Sequence, residues 1–181
     1  MTGDGEPDLD RWISAPALRV AHHRASDVAA DQLWAAAQAV RLSETTVLGR
    51  LVRWRIPGLA QDVRFDELFR EPPFMVLESS EASLVSGLVG RIWTLRRDYP
   101  QLATAHEFDD WSQRGTARVI FATWVRSRPE GGAVIAVEAR VQAIGGQGRI
   151  GVAAVRPLVR AFQHLIASEG IAAAARRAER A

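Results

Sequence analysis

The sequence predicts an α+β fold in a single domain. Segments with apolar residues at helical spacing come early in the chain, a run of alternating segments follows, and a long amphipathic segment closes it. The chain has 181 residues, 48% of them apolar, which suits one domain with its own core. No internal repeat or domain linker is evident. Residues 1–12, rich in Gly, Asp, Glu and Pro, are predicted to be a flexible tail.

The first half of the chain predicts one strand and three helical segments. The strand covers residues 17–23, and Ser26 can cap a helix that runs to about residue 40. The core-facing residues of that helix are predicted to be Val28, Leu33, Trp34 and Ala37. A second helix is predicted from Ser43 to Pro57-Gly58, with Val47, Leu48, Leu51 and Val52 at helical spacing. A helical turn around Phe65, Leu68 and Phe69 ends at Pro72-Pro73.

From residue 74 the spacing of apolar residues changes from helical to extended. Strands are predicted over residues 74–79, 84–93, 105–111, 116–126 and 133–143, the third being weaker than the others. In the last two, apolar residues such as Phe121 and Val137 alternate with Arg118 and Glu138. This alternation predicts half-buried antiparallel strands with one face against a core. The segment 128–132, Arg-Pro-Glu-Gly-Gly, predicts the turn between them.

A long amphipathic helix is predicted to close the chain. Its apolar stripe advances by three or four residues and comprises Val152, Val155, Val159, Phe162 and Ile166, widened by Leu158 and Leu165. Pro157 either belongs to the first turn of this helix or kinks it. The Arg residues at 176, 177 and 180 suit a helix C-terminus.

The composition excludes several kinds of chemistry. The chain contains 23 Arg and no Lys, Cys or Asn. Without Lys there is no Schiff base and no P-loop lysine. Without Cys there is no thiolate nucleophile, disulfide or cysteine-ligated metal. Catalysis would have to use Asp, Glu, His, Ser, Thr, Arg or the single Tyr99.

Charge and hydropathy indicate the expected location and partners. The formal net charge is only +2, so we expect no nucleic acid partner. The first ten residues carry acids and no base, unlike a secretory signal. The longest apolar runs are five residues, too short to span a membrane, so no stable membrane insertion is expected. The absence of Cys adds to the expectation of a cytoplasmic location.

Several motifs resemble those of the START/Bet v 1-like (SRPBCC) superfamily, in particular an uncharacterised bacterial branch of it. Residues 63–69 read VRFDELF, residues 72–78 read PPFMVLE, and residues 84–93 read LVSGLVGRIW. The strand VEARV at 137–141 and the helix at Arg156-Pro157 are also similar. The resemblance begins at about residue 17, and residues 13–181 are expected to form one such domain.

The resemblance implies a helix-grip fold, in which a curved antiparallel sheet wraps around the C-terminal helix and leaves a cavity for an apolar ligand. Members of the superfamily bind lipids, sterols, polyketides or plant hormones, and some catalyse cyclisation or dehydration. The first hypothesis is therefore binding of a small hydrophobic molecule, lipid-like or polyketide-like, without a metal or cofactor. The second is a polyketide cyclase- or dehydratase-like enzyme. The third is a membrane-surface or protein-docking role of the Arg-flanked terminal helix.

Aromatic and polar residues supply the candidate cavity groups. Six aromatic side chains are predicted to converge on the interior: Phe65, Phe69, Phe74, Trp93, Phe121 and Phe162. They would equally fill a solid core, because periodicity does not distinguish a packed interior from a hollow one. Three polar residues are candidates for catalytic or orienting roles, with a surface position as the alternative: Glu78, Arg91 and Thr123. Glu138 and Arg140 share a strand face and could orient a substrate in the cavity, but because that face is polar they are predicted to form an ion pair on the solvent side.

Two further patterns are candidates for binding sites. Residues 146–151 spell G-x-G-x-x-G between a strand and a helix, but no second parallel strand follows. A strand-to-helix loop is therefore favoured over a dinucleotide site, and a simple anion site beside Arg149 is the alternative. An acidic cluster follows His106, and it suits either a cation or a solvated loop: Glu107, Asp109 and Asp110.

The remaining histidines do not predict a metal site. His22 and His23 would point to opposite faces of a strand and cannot share a metal ion. His164 falls beside the apolar stripe of the last helix, where a packed or surface histidine is favoured over a ligand. We therefore expect no metal.

Overall fold

Five antiparallel strands and four helices make up the part of the chain that the computed structural model describes. That part comprises residues 5–45, 62–94, 96 and 99–180, with the backbone alone described at residues 158 and 160–168. The strands are β1 (Leu18–Ser26), β2 (Met75–Ser79), β3 (Ser83–Gly90), β4 (Thr116–Ser127) and β5 (Ala133–Ile144). The helices are α1 (Ala30–Ala39), α2 (Phe65–Arg70), α3 (Ala105–Asp109) and α4 (Gly145–Ala178), with a 3₁₀ turn at Leu42–Glu44. The predicted α+β class is confirmed.

The sheet is open and antiparallel: β2 to β5 form a meander, and β1 pairs with the free side of β5. Its strand order is β1-β5-β4-β3-β2, so β1 and β2 form the edges. β4 and β5 pair over their full length, from Thr116 opposite Ile144 to Ser127 opposite Ala133. The predicted turn between them is confirmed, since the Gly131 amide donates to the Arg128 carbonyl at 3.1 Å. Gly131 also has a positive φ of 100°, which favours glycine.

The central strands β3, β4 and β5 are buried on both faces, which corrects the prediction of half-buried strands, whereas the edge strand β1 is largely exposed. The face that we call inner packs against α1 and α4 and includes Ile135 and Val137. The opposite, outer face includes Ile120 and Trp124, which are also buried. All eight residues of β3 are buried. The apolar run LVSGLVG in β3 is typical of a strand that is covered on both sides.

The N-terminal segment 5–13 covers part of the outer face. Leu9 and Trp12 are 4% and 6% exposed, and the Trp12 ring meets the Phe108 ring edge-on at 6.2 Å between centroids. Burying two such side chains contributes about 2 kcal/mol each by area. Leu9 and Trp12 therefore belong to the core, and this packing contrasts with the flexible tail predicted for residues 1–12.

The long helix α4 begins earlier than its apolar stripe predicts. The G-x-G-x-x-G motif lies within its first turns, so the predicted strand-to-helix loop is wrong. Two of the motif's glycines sit where the helix approaches other backbone or rings closely. A Cβ at Gly148 would lie 2.5 Å from the Thr116 carbonyl oxygen, and one at Gly151 would lie 2.2 Å from the Trp93 ring. Pro157 lies inside the helix, which excludes the first-turn alternative.

The observed ends of several other helices and strands differ from the predicted ones. The strand β1 continues to Ser26, so α1 begins at Ala30 and Ser26 is not its cap. The strand β3 ends at Gly90, whose φ is 140°, three residues before the predicted end. The predicted helix with Val47 to Val52 lies outside the described residues. Among the helices that are described, none is long and apolar enough to cross a membrane.

The segment 105–111 forms a helix instead of the predicted weak strand. Its apolar residues Ala105, Phe108 and Trp111 are three apart, a spacing that also fits one face of a helix. The hydroxyl of Thr104 accepts a hydrogen bond from the Glu107 amide at 3.3 Å and so caps the helix. Phe108 is fully buried on the outer face of the sheet. The apolar spacing of this short segment fits either a strand or a helix, and the burial of the Phe108 ring favours the helix.

We expect Thr104→Ala to lower the free energy of unfolding by about 1 kcal/mol, because the first turn of α3 loses its cap. Thr104→Ser keeps the hydroxyl and should stay within about 0.5 kcal/mol of the wild type. Urea unfolding followed by circular dichroism measures both values. A Thr104→Ala protein as stable as the Ser variant would contradict the capping role.

Candidate ligand cavity

A cavity lies between the inner face of the sheet, the helices α1 and α2, and the C-terminal part of α4. Its sheet wall is formed by Leu84, Phe121, Thr123, Ile135 and Val137. Its helical wall is formed by Trp34, Ala37, Gln38, Val40, Phe65, Asp66, Phe69, Gly170, Ile171 and Ala174. The helices reach this position because their apolar residues pack in one cluster with the inner face. Most of the lining is therefore apolar.

The cavity is small and opens to solvent. Its volume is about 50 Å³, which is room for about four water molecules. Pockets that enclose a drug-sized ligand measure roughly 300–1,000 Å³. In this conformation the cavity therefore has room for only a few ligand atoms, such as the end of an alkyl chain.

Aromatic side chains form one side of the cavity. Phe69 stacks on Phe121 with 4.1 Å between ring centroids and an interplanar angle of 6°. Phe65 and Phe74 flank Phe69 at centroid distances of 5.8 Å and 4.9 Å. Of the six aromatic residues predicted for the interior, Phe65, Phe69 and Phe121 line the cavity. Phe74 lies behind them and lines a separate pocket with Pro72 and Leu102.

Two of the six predicted aromatic residues, Trp93 and Phe162, are not among the described residues that line this cavity. Trp93 packs near the start of α4, in a separate cluster with Val141 and Val152. The side chain of Phe162 lies outside the described part of α4. The inner face therefore carries at least two apolar clusters, one at each end of α4.

The three polar candidates do not come together. Thr123 lines the cavity. Glu78 pairs with Val85, an outer-face residue, because the register of β2 shifts between Val76 and Glu78. Arg91 is exposed just after the end of β3. A shift of this kind moves a side chain to the other face of a strand, and alternation alone does not predict it.

Ser86 is a buried polar residue that the sequence reasoning missed. It is fully buried, and its hydroxyl has no hydrogen-bond partner in the structure. Leaving a buried hydroxyl unpaired costs about 1–3 kcal/mol. The only sequence signal is a serine within the apolar run of β3, where an aliphatic residue would otherwise be expected. Such an orphan polar group calls for a specific explanation.

An ion network lies on the outer face, away from the cavity. The Glu138 carboxylate accepts hydrogen bonds from Arg19 Nε at 2.8 Å and from Arg140 Nε at 2.5 Å. Arg140 also donates to the Asp10 carboxylate and, at 2.7 Å, to the Ile13 carbonyl. Burial lowers the pKa of Arg140, but the hydrogen bonds and charges of Glu138 and Asp10 outweigh it, so the pKa is raised. Arg140 therefore stays charged and fastens the N-terminal segment to the sheet.

This network corrects the prediction of a solvent-side ion pair between Glu138 and Arg140. The two residues do pair with each other, but they are 4% and 8% exposed. The N-terminal segment covers their strand face and removes them from water. Neither residue lines the cavity, and Arg140 instead joins the sheet to Asp10 and Ile13 of the N-terminal segment.

The remaining motifs do not form a site with the cavity. His106 pairs with Asp110 at 3.1 Å across one exposed turn of α3. Within residues 5–45, 62–94, 96 and 99–180, no group of three or more His, Asp or Glu is placed to hold a metal ion. Arg149 and Ile150 are exposed on the first turns of α4.

The cavity is therefore an apolar space with Thr123 in its sheet wall, and its chemistry is that of binding. Models of known protein families, curated proteins and solved structures were compared with the chain, and none of them matches. Membership of the START/Bet v 1-like superfamily stays a prediction. The function must be inferred from the cavity itself.

Proposed function

We propose that this protein binds a small hydrophobic molecule in the cavity between the inner face of the sheet and α4. The main support for the proposal is the apolar composition of the cavity lining. Only Gln38, Asp66 and Thr123 are polar among the fifteen described residues that surround the cavity. An apolar concave site with a few polar groups is the usual form of a small-ligand pocket.

The helix-grip fold expected from the superfamily resemblance is part of this proposal. It is supported by the sheet order β1-β5-β4-β3-β2, in which the first strand lies beside the last. It is also supported by α4, which contacts β1 and β5. In a helix-grip protein, the ligand lies between these elements. The cytoplasmic location stays a prediction.

The volume of the cavity limits how much of a ligand it can enclose. A volume of about 50 Å³ accepts a short alkyl segment or part of a ring. The opening to solvent lets the rest of a longer molecule extend outward. We therefore propose a lipid-like or polyketide-like molecule that inserts one apolar end.

No observation favours the two alternative functions. An acid/base enzyme needs at least two polar groups that converge on the bound substrate, and Glu78 and Arg91 do not line the cavity. A docking role for the terminal helix needs an available apolar face. Ile171, Ala174 and Ala178 of that helix are buried in the inner cluster.

Filling the cavity tests the proposal. Ala37 lines it from α1, and a leucine side chain there would occupy the space of the ligand. We expect Ala37→Leu to weaken binding of 1-octanol by about tenfold or more, measured by isothermal titration calorimetry. Ala35→Leu is the matched control, because Ala35 is exposed on the same helix and does not line the cavity.

Two outcomes would contradict the proposal. One is a wild-type protein that binds no 1-octanol, and the other is an Ala37→Leu protein that binds it as tightly as the Ala35→Leu control. Native mass spectrometry of freshly purified protein adds an independent measurement. An extra mass that disappears on denaturation would give the class of the natural ligand.

A further inference from the structure

A glycine forms part of the helical wall of the proposed cavity. Gly170 lies in the C-terminal part of α4 and lines the cavity together with Ile171 and Ala174 of the same helix. Ile171 and Ala174 are buried in the inner cluster, whereas Gly170 is half-buried. Because glycine has no side chain, the backbone of α4 itself forms the wall at this position.

The backbone and the described surroundings of Gly170 do not require a glycine. Gly170 is helical and does not have a positive φ. Among the described residues, a Cβ at this position would meet only the Phe65 ring, at 3.9 Å and 4.0 Å, which is ordinary van der Waals contact. Glycine inside a helix is less favourable than alanine. The helix is therefore less stable with Gly170 than it would be with an alanine that has room to fit.

The missing methyl group leaves space at the cavity. Phe65 lines the cavity as well, so a Cβ beside its ring would take up space between two lining residues. The cavity volume of about 50 Å³ is room for about four groups of the size of water, and a methyl group would fill about one of these places. Glycine is the usual residue where a backbone approaches a ligand closely.

We propose that Gly170 determines which ligands the cavity admits, because the apolar end of the ligand packs directly on the backbone of α4 beside the Phe65 ring. This inference rests on the proposed function, to which it adds the residue that sets the space for the ligand. Alanine at position 170 would stabilise the helix and remove ligand space. These two effects have opposite signs, and a purely structural role of the glycine would not produce both.

The test is Gly170→Ala, measured for stability without ligand and for binding of 1-octanol. We expect the midpoint of thermal unfolding to rise by about 2–4 °C, because alanine is the better helix former. We expect 1-octanol to bind about fourfold more weakly, as for the loss of one buried methylene group from the contact. Circular dichroism at 222 nm gives the midpoint, and isothermal titration calorimetry gives the affinity.

Gly146→Ala is the matched control, with the same substitution in the same helix. Gly146 is exposed in the first turn of α4, does not line the cavity, and a Cβ there would meet no described residue within 4 Å. We expect this variant to unfold at a higher temperature than the wild type and to bind 1-octanol as the wild type does. The pair therefore separates loss of ligand space from a general effect of stabilising α4.

Each result decides between the proposals. A Gly170→Ala protein that binds 1-octanol as tightly as the Gly146→Ala protein would overturn the inference. A Gly170→Ala protein that unfolds at a lower temperature than the wild type would also overturn it, because the glycine would then be required for packing. In both cases, binding of 1-octanol to the wild type would still support the proposed function. A wild type that binds no 1-octanol would contradict the proposed function and this inference together.

Discussion

Replacing Glu138 by alanine is expected to lower the free energy of unfolding by about 3–5 kcal/mol, the usual cost of breaking a buried ion pair from one side. The Glu138 side chain is 5% exposed and is bound by both Arg19 and Arg140. Without it, the buried Arg140 guanidinium keeps only Asp10 and the Ile13 carbonyl. Urea unfolding followed by circular dichroism gives the free energy.

Two variants show whether burial of the charge causes this loss. Arg19 binds the same carboxylate, but its side chain is 59% exposed, so Arg19→Ala should cost less than about 1 kcal/mol. Replacing Glu138 and Arg140 together by leucine removes both buried charges and should restore part of the stability lost in Glu138→Ala. A Glu138→Ala protein that loses less than about 1 kcal/mol would show that Arg140 needs no buried counter-charge.

The second large effect is expected from Gly151→Ala, which should cost about 2–3 kcal/mol through overpacking. Glycine to alanine inside a helix is normally stabilising by up to about 1 kcal/mol. Here a Cβ would lie 2.2 Å from two atoms of the Trp93 ring. The rigid ring, held in the cluster with Val141 and Val152, must move to admit it. Steric overlap therefore reverses the usual sign.

Gly146→Ala is the matched control in the same helix. Gly146 is exposed, and a Cβ there would meet nothing within 4 Å. We expect this variant to gain about 0.5–1 kcal/mol. The pair also tests where α4 begins, because a flexible loop over residues 146–151 would give neither the gain at Gly146 nor the loss at Gly151. Thermal unfolding monitored at 222 nm measures both changes.

Local spacing predicted the positions of three strands closely. The strands predicted at residues 74–79, 116–126 and 133–143 are confirmed within one residue at each end as β2, β4 and β5. A period of two over many residues is incompatible with a helix, so the pattern decides the structure. The segment 105–111 is short, and its apolar spacing fits a strand or a helix. The burial of Phe108 against the sheet decided in favour of the helix.

The candidate site was predicted in part. The spacing of Phe65, Phe69 and Phe121 indicated an interior position, and these three side chains line the cavity. Thr123 was also anticipated there. Glu78 was predicted to face the cavity, but a register shift in β2 places it opposite Val85 of the outer face. Such a shift depends on the pairing with β3, which the spacing within β2 does not reveal. The unpaired burial of Ser86 was not predicted, because one serine in an apolar strand carries no sign of whether a hydrogen-bond partner lies nearby.

The sequence by itself determined the α+β class, the order of the elements and the chemistry that the chain cannot perform. These properties follow from residue types and local spacing. Only the tertiary structure decided that the central strands are covered on both faces, that Glu138 and Arg140 are buried, and that a small cavity lies between the inner face of the sheet and the helices. Each depends on contacts between residues far apart in the chain, such as Arg140 with Asp10 and Ile13. Local periodicity carries no information about which distant segment covers a given face.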